Sequence, residues 1–128
     1  MLAKSAKSVT GVDISEEAVE HARMRYGHHR NLRFLMGSAT SLPFADASFD
    51  VVTSFETIEH LAEQEEMLAE ISRVLKPQGI LVISSPNRNV YAAQAGHHNE
   101  FHVRELDLCE LKAIVGLHFP WQVGFGQR

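Results

Sequence analysis

Short apolar runs alternate along this chain with stretches in which apolar residues recur every three or four positions. That alternation most constrains the fold, because it is the pattern of βαβ units and predicts an α/β domain with a mainly parallel sheet. Val9 to Val12 reads as a buried strand stopping at Asp13. Ser15 then serves as an N-cap, Glu16 and Glu17 fill a first helical turn, and Ala18, Val19, Ala22 and Tyr26 recur at helical spacing up to Gly27. A helix over 16–26 follows. Asn31 to Met36 is a second strand, ended by Gly37 and a turn-rich loop. Phe49 to Phe55 reads as a central strand covered on both faces. Glu63 to Leu75 places Met67, Leu68, Ile71, Val74 and Leu75 on one helical face, and Lys76-Pro77-Gln78-Gly79 is a turn. Ile80 to Ser84 is a further strand, Leu106 to Val115 a helix, Trp121 to Phe125 a last strand, and residues 1–8 the end of a helix.

With 128 residues, 45% of them hydrophobic, the chain is large enough for one domain over 1–128 and too small for two ordinary ones. Its 12 basic and 16 acidic residues give a formal charge of -4, which argues against a phosphate-binding surface, so no nucleic-acid partner is expected. No apolar run approaches the roughly 20 residues that span a bilayer, so no membrane partner is expected. The opening MLAKSAKS lacks a signal peptide's apolar core, and the chain reads as cytoplasmic. Cys109, the one cysteine, sits in ELDLCELKAIV with helical apolar spacing and reads as a packed small hydrophobe.

Asp13 stands where open α/β sheets bind ligands, at the carboxyl end of a strand. From that strand onward the chain resembles the class I S-adenosylmethionine-dependent methyltransferases of the small-molecule type. VTGVDIS resembles their second strand with its terminal acid. FLMGSATSLPFADASFDVVTSFETIEHL resembles the third strand, adenine loop and fourth strand, and EISRVLKPQGILVISSPN the following helix, turn and fifth strand. The resemblance implies a Rossmann-like doubly wound sheet and S-adenosyl-L-methionine as cofactor. It implies that Asp13, with Ile14 beside it, holds the ribose, since a carboxylate accepts both hydroxyls. Helix capping is the other reading of Asp13, although Ser15 is better placed for it. Ser38 stands where the family often has an acid at the adenine, with the backbone of Ala39 nearby; it reads equally as an ordinary polar turn. Ser54 and Phe55 fall where the family holds the methionine part, and core packing is the alternative for Phe55.

The family's glycine-rich turn has no counterpart here: the first glycine is Gly11, and eight residues precede Val9. The chain is therefore expected to be a methyltransferase-like domain lacking its first strand and glycine loop, a fragment or a partial protein that has lost methyl transfer. GFGQR at the end leaves little room for the family's last strand. Glu56, Glu59 and His60 lie at i, i+3 and i+4 and share a side if the segment is helical. They are the candidate catalytic residues, His60 as base by analogy. Their E-x-x-E-H pattern resembles that of ubiquinone-pathway O-methyltransferases, where such residues bind a divalent metal. The favoured reading leaves both acids in solvent and His60 on a backbone group, so no metal is assigned. The segment 87–102 is expected to be an acceptor lid on which Tyr91 and Phe101 pack, with His97, His98 and His102 as less favoured ligands. A weaker resemblance ties it to methyltransferase domains of sugar and polysaccharide assembly. The expected activity is methyl transfer to a small-molecule acceptor at O, N or C. A nicotinamide-dependent dehydrogenase and a non-catalytic interaction module remain as alternatives. The module would expose a sheet edge suited to a homodimer.

Overall fold

The structure, a computed structural model, describes residues 2–90 and 99–126; Tyr91, His97 and His98 lie outside them. The chain divides into two compact units, Met1–Pro43 and Phe44–Arg128. In the first, a 3-10 turn at Leu2–Lys4 precedes β1 (Val9–Asp13), α1 (Glu16–Tyr26) and β2 (Leu32–Met36). The opening turn replaces the expected helix end: it buries none of its residues and is tied down through Asn31, whose Nδ2 donates to the carbonyls of Ala3 and Ala6. The α1 boundaries are as the capping residues predict. The Ser15 hydroxyl accepts from the Ala18 N–H, with Glu16 and Glu17 in the first turn and Arg23 and Arg25 in the last. Arg23 also donates through Nε and Nη2 to the Phe34 carbonyl, fastening helix to strand. β1 and β2 are parallel, Val9 opposite Leu32 through Asp13 opposite Met36. Gly11 lets the Phe34 ring close on β1, because a Cβ there would lie 2.7 Å from Phe34 Cδ1.

The second unit contains β3 (Phe49–Phe55), a 3-10 turn (Ile58–His60), α2 (Gln64–Val74), β4 (Leu75–Ser84) and α3 (Leu108–Gly116). Its core is Ile58, Met67, Leu68, Ile71, Val74, Leu75, Leu106, Ile114 and Val115, the apolar face of α2 providing most of it. β4 begins as α2 ends. The expected Lys76–Gly79 turn is a bulge inside the strand: between the pairs Phe49–Leu75 and Val51–Ile80, Asp50 alone faces residues 76–79. Pro77, which cannot donate to a ladder, sits in that bulge. Parallel pairing then runs to Phe55 opposite Ser84. Two parallel strand pairs, each joined through a helix, constitute the expected α/β class.

Four expectations are corrected. Residues 121–125 form no strand: Trp121 is 94% exposed, and Val123 and Phe125 are also exposed, because β propensity without a pairing partner leaves only irregular chain. β3 is not covered on both faces; α2 packs against β4, while Val51, Ile80 and Val82 remain exposed. Cys109 is exposed, on the first turn of α3, the inward residues being Ile114 and Val115. Phe101 is exposed instead of packed. No helix among the described residues is long and apolar enough to cross a membrane.

Candidate functional site

In the first unit the parallel register brings two of the candidate positions to one end of the strand pair. Asp13 closes β1 opposite Met36, and its carbonyl accepts from the Gly37 N–H at 2.9 Å, so Ser38 follows directly beyond the neighbouring strand tip. The Asp13 carboxylate is exposed; one oxygen accepts from the Ser15 N–H at 2.9 Å and the other has no hydrogen bond among the described residues. One oxygen thus orders the turn into α1, the capping-type role, and the other is open among the described residues. Ile14 beside it is also exposed. Ser38 lies in a tight turn whose hydroxyl is shared with Thr40 Oγ1 at 2.8 Å and whose carbonyl accepts from Ser41 N–H, with Ala39 at the turn's crest.

In the second unit β3 ends with Ser54, half-buried, and Phe55, exposed, beside Ile83 and Ser84 of β4. Glu56 then has φ 50°, the left-handed region, uncommon for a residue with a side chain. That bend turns the Glu56 carboxylate back onto β4, where it accepts from Ser84 Oγ at 2.6 Å. The helix that would align Glu56, Glu59 and His60 is therefore absent: Glu59 and His60 lie in a 3-10 turn at Ile58–His60, and Glu56 lies outside it. Glu59 is only 1% exposed, contrary to the solvent-facing reading, and neither carboxylate oxygen has a hydrogen bond among the described residues. Burial pushes its carboxyl above the usual carboxylate range, and the neighbouring Glu56 charge adds to the shift. His60 is exposed, with Nδ1 2.8 Å from the Phe101 carbonyl, the backbone contact expected of it.

What sequence spacing did not bring together is the segment 99–106. The Glu59 carbonyl accepts from the Val103 and Arg104 N–H groups, and Gln64 Nε2 donates to the carbonyls of Ile58 and Arg104. His102, 8% exposed, comes to rest with its ring centroid 5.0 Å from that of His60. Its Nδ1 lies 2.6 Å from Glu105 Oε1 and its Nε2 3.1 Å from Asn99 Nδ2. The H-x-x-E spacing of His102 and Glu105 was the available signal for that pair. Ligand atoms of Glu59, His60 and His102 all lie within 4.8 Å of one another.

A family profile described as "Methyltransferase domain" matches residues 1–83. The chain is 38% identical over 116 residues to a Mycolicibacterium smegmatis protein named "Probable S-adenosylmethionine-dependent methyltransferase", covering 90% of this chain and 44% of that protein. A Mycobacterium tuberculosis protein of the same description is also 38% identical over 116 residues, with 41% of its length covered. The crystal structure of the YcgJ protein of Bacillus subtilis superposes with a TM-score of 0.78 at 28% identity, covering 91% of this chain and 54% of that one. The chain thus spans less than half the length of these curated relatives.

Proposed function

The chain belongs to the methyltransferase-domain family, whose relatives are named for their dependence on S-adenosylmethionine, and from that membership we propose methyl transfer from this cofactor to a small-molecule acceptor, in the cytoplasm. The observation that carries the reading is the register of β1 with β2, which puts a carboxylate with one open oxygen and the Ser38 turn at the same end of a parallel pair. That is where α/β sheets bind ligands. In this proposal Asp13 accepts from the ribose hydroxyls, with Ile14 alongside, and Ser38 and the Ala39 backbone meet the adenine. Ser54 and Phe55, at the tip of β3, receive the methionine part.

The reaction asks little covalent chemistry of the protein. When bound, S-adenosylmethionine would supply an electrophilic methyl group, its sulfur taking back the carbon–sulfur electron pair as an acceptor lone pair forms the new bond and the acceptor gives up a proton. Positioning supplies most of the rate, and a general base is optional. Of the three groups after β3, exposed Glu56 and His60 are able to take that proton; buried Glu59 is not. Titration of S-adenosylhomocysteine into the 128-residue chain and its Asp13→Ala variant tests the ribose role. Loss of the carboxylate is expected to weaken binding by about 1–3 kcal/mol, and Asp13→Asn, which keeps one acceptor oxygen, by less. Unchanged affinity in Asp13→Ala removes Asp13 from the site.

A further inference from the structure

We propose that the turn at residues 99–105 positions the base for methyl transfer: it fixes His60 as an imidazole protonated at Nδ1, which leaves the lone pair of Nε2 open to the acceptor's proton. The inference rests on the methyl-transfer reading above and adds to it the choice of base and the residues that position it. A backbone carbonyl only accepts hydrogen bonds, and the Phe101 carbonyl lies 2.8 Å from His60 Nδ1. Nδ1 therefore carries the hydrogen, and the basic lone pair falls to Nε2. That nitrogen has no hydrogen bond among the described residues, and His60 is exposed. Glu56, the other exposed group after β3, is turned back onto β4 and already accepts from Ser84 Oγ at 2.6 Å.

The carbonyl that sets this tautomer is held throughout the turn. Asn99 Oδ1 accepts from the Phe101 N–H, and the Asn99 carbonyl from the His102 N–H, both at 3.0 Å. The next two N–H groups, of Val103 and Arg104, donate to the Glu59 carbonyl, and Gln64 Nε2 spans the carbonyls of Ile58 and Arg104. Residues 101–104 are thereby tied to the 3-10 turn that carries His60. His102 is buried and engaged at both ring nitrogens, Nδ1 lying 2.6 Å from Glu105 Oε1 and Nε2 3.1 Å from Asn99 Nδ2. Its ring meets that of His60 edge to face, with centroids 5.0 Å apart and planes at 79°. His102 is thus occupied where His60 is open, and its part is to hold the Phe101 carbonyl and the His60 ring in place. An exposed imidazole without such a frame samples both tautomers and several rotamers, and fixing it in advance is what positioning contributes to a rate. A proton leaving the acceptor goes to Nε2 and makes an imidazolium whose Nδ1–H stays on the Phe101 carbonyl. The Glu59 carboxyl, an oxygen of which lies within 4.8 Å of a His60 nitrogen, gains by ionising as that imidazolium forms, because each charge favours the other.

Nitrogen-15 NMR of the histidine rings in the 128-residue chain, without cofactor, tests this, the His60 signals being those lost in His60→Gln. Neutral His60 is expected to carry its hydrogen on Nδ1, the reverse of the Nε2–H form that free histidine favours in water. Asn99→Ala removes both the acceptor of the Phe101 N–H and the amide on His102, and the His60 tautomer ratio is expected to invert. Asn99→Asp keeps the first of these and is expected to retain most of the native form. Diethyl pyrocarbonate, which acylates an accessible, unprotonated imidazole nitrogen, is expected to modify His60 and spare His102, as mapped by mass spectrometry. Should Asn99→Ala fail to fold, the native tautomer, the reagent and Asn99→Asp carry the test. An Nε2–H form in the native chain, a His60 that resists the reagent, or a tautomer unchanged in folded Asn99→Ala overturns the proposal. Calorimetric titration of S-adenosylhomocysteine separates it from the reading on which it rests: equal binding by the native chain and Asn99→Ala is expected. Binding absent from both overturns the cofactor reading and the reaction assigned to the base, even where the tautomer is as expected.

Discussion

Asp13 and Glu59 are both acids just past or at a strand end, yet their surroundings give them opposite chemistry. Asp13 is exposed and keeps one oxygen for the Ser15 N–H, whereas Glu59 is shut away, and among the described residues neither its oxygens nor the second Asp13 oxygen has a hydrogen bond. The sequence distinguished the first by its place after an apolar run, but gave no sign of the second's burial, which depends on a segment about 40 positions further on. Asp50 is a third case. Its hydrogen bond to Lys76, at 2.7 Å, holds the carboxyl below its usual range. A lowered native pKa contributes stability above the unfolded value and loses it as pH falls through the native one. Lys76→Met is expected to return the Asp50 titration, followed by NMR, upward toward the ordinary range. Because the pair is exposed, thermal stability at neutral pH is expected to stay the same. An Asp50 titration that does not move separates the shift from Lys76. At Gly11 the constraint is steric: Gly11→Ala must displace the Phe34 ring, and a loss of about 1–3 kcal/mol in urea unfolding is expected.

Elements with a strong internal pattern were legible, and those defined by a partner were not. The helix α2 was readable because Met67, Leu68, Ile71 and Val74 fall on one stripe, and the same residues are buried. Its packing carries the second unit: Leu68→Ala, at a fully buried site, is expected to cost about 2–5 kcal/mol by chemical denaturation. A smaller loss indicates that the site collapses around the cavity. Lys76–Gly79 was read as a turn after α2 and is instead a bulge, because the strand resumes in register only by pairing with β3. Trp121 to Phe125 shows the converse error, since β-favouring residues without a partner remained irregular. Likewise the helical alignment of Glu56, Glu59 and His60 failed on a single backbone angle, the positive φ of Glu56.

At the scale of the whole molecule, β–α alternation sufficed to predict the α/β class, and two parallel pairs joined through helices carry it out. The resemblance to methyltransferases rested on ordered stretches spanning strand tips, loops and turns, and the family profile matches the same part of the chain, residues 1–83. The cluster of Glu59, His60, His102 and Glu105 lies partly beyond that match, which is why family motifs did not assemble it. The central claim is that the strand ends of this chain bind S-adenosylmethionine. Amide chemical-shift mapping on the isotope-labelled 128-residue chain, titrated with S-adenosylhomocysteine, tests that claim most directly. Saturable shifts gathered at Asp13, Ile14, Ser38, Ala39, Ser54 and Phe55 are the predicted result. A folded chain whose spectrum does not move, or moves only at residues remote from these strand ends, contradicts it.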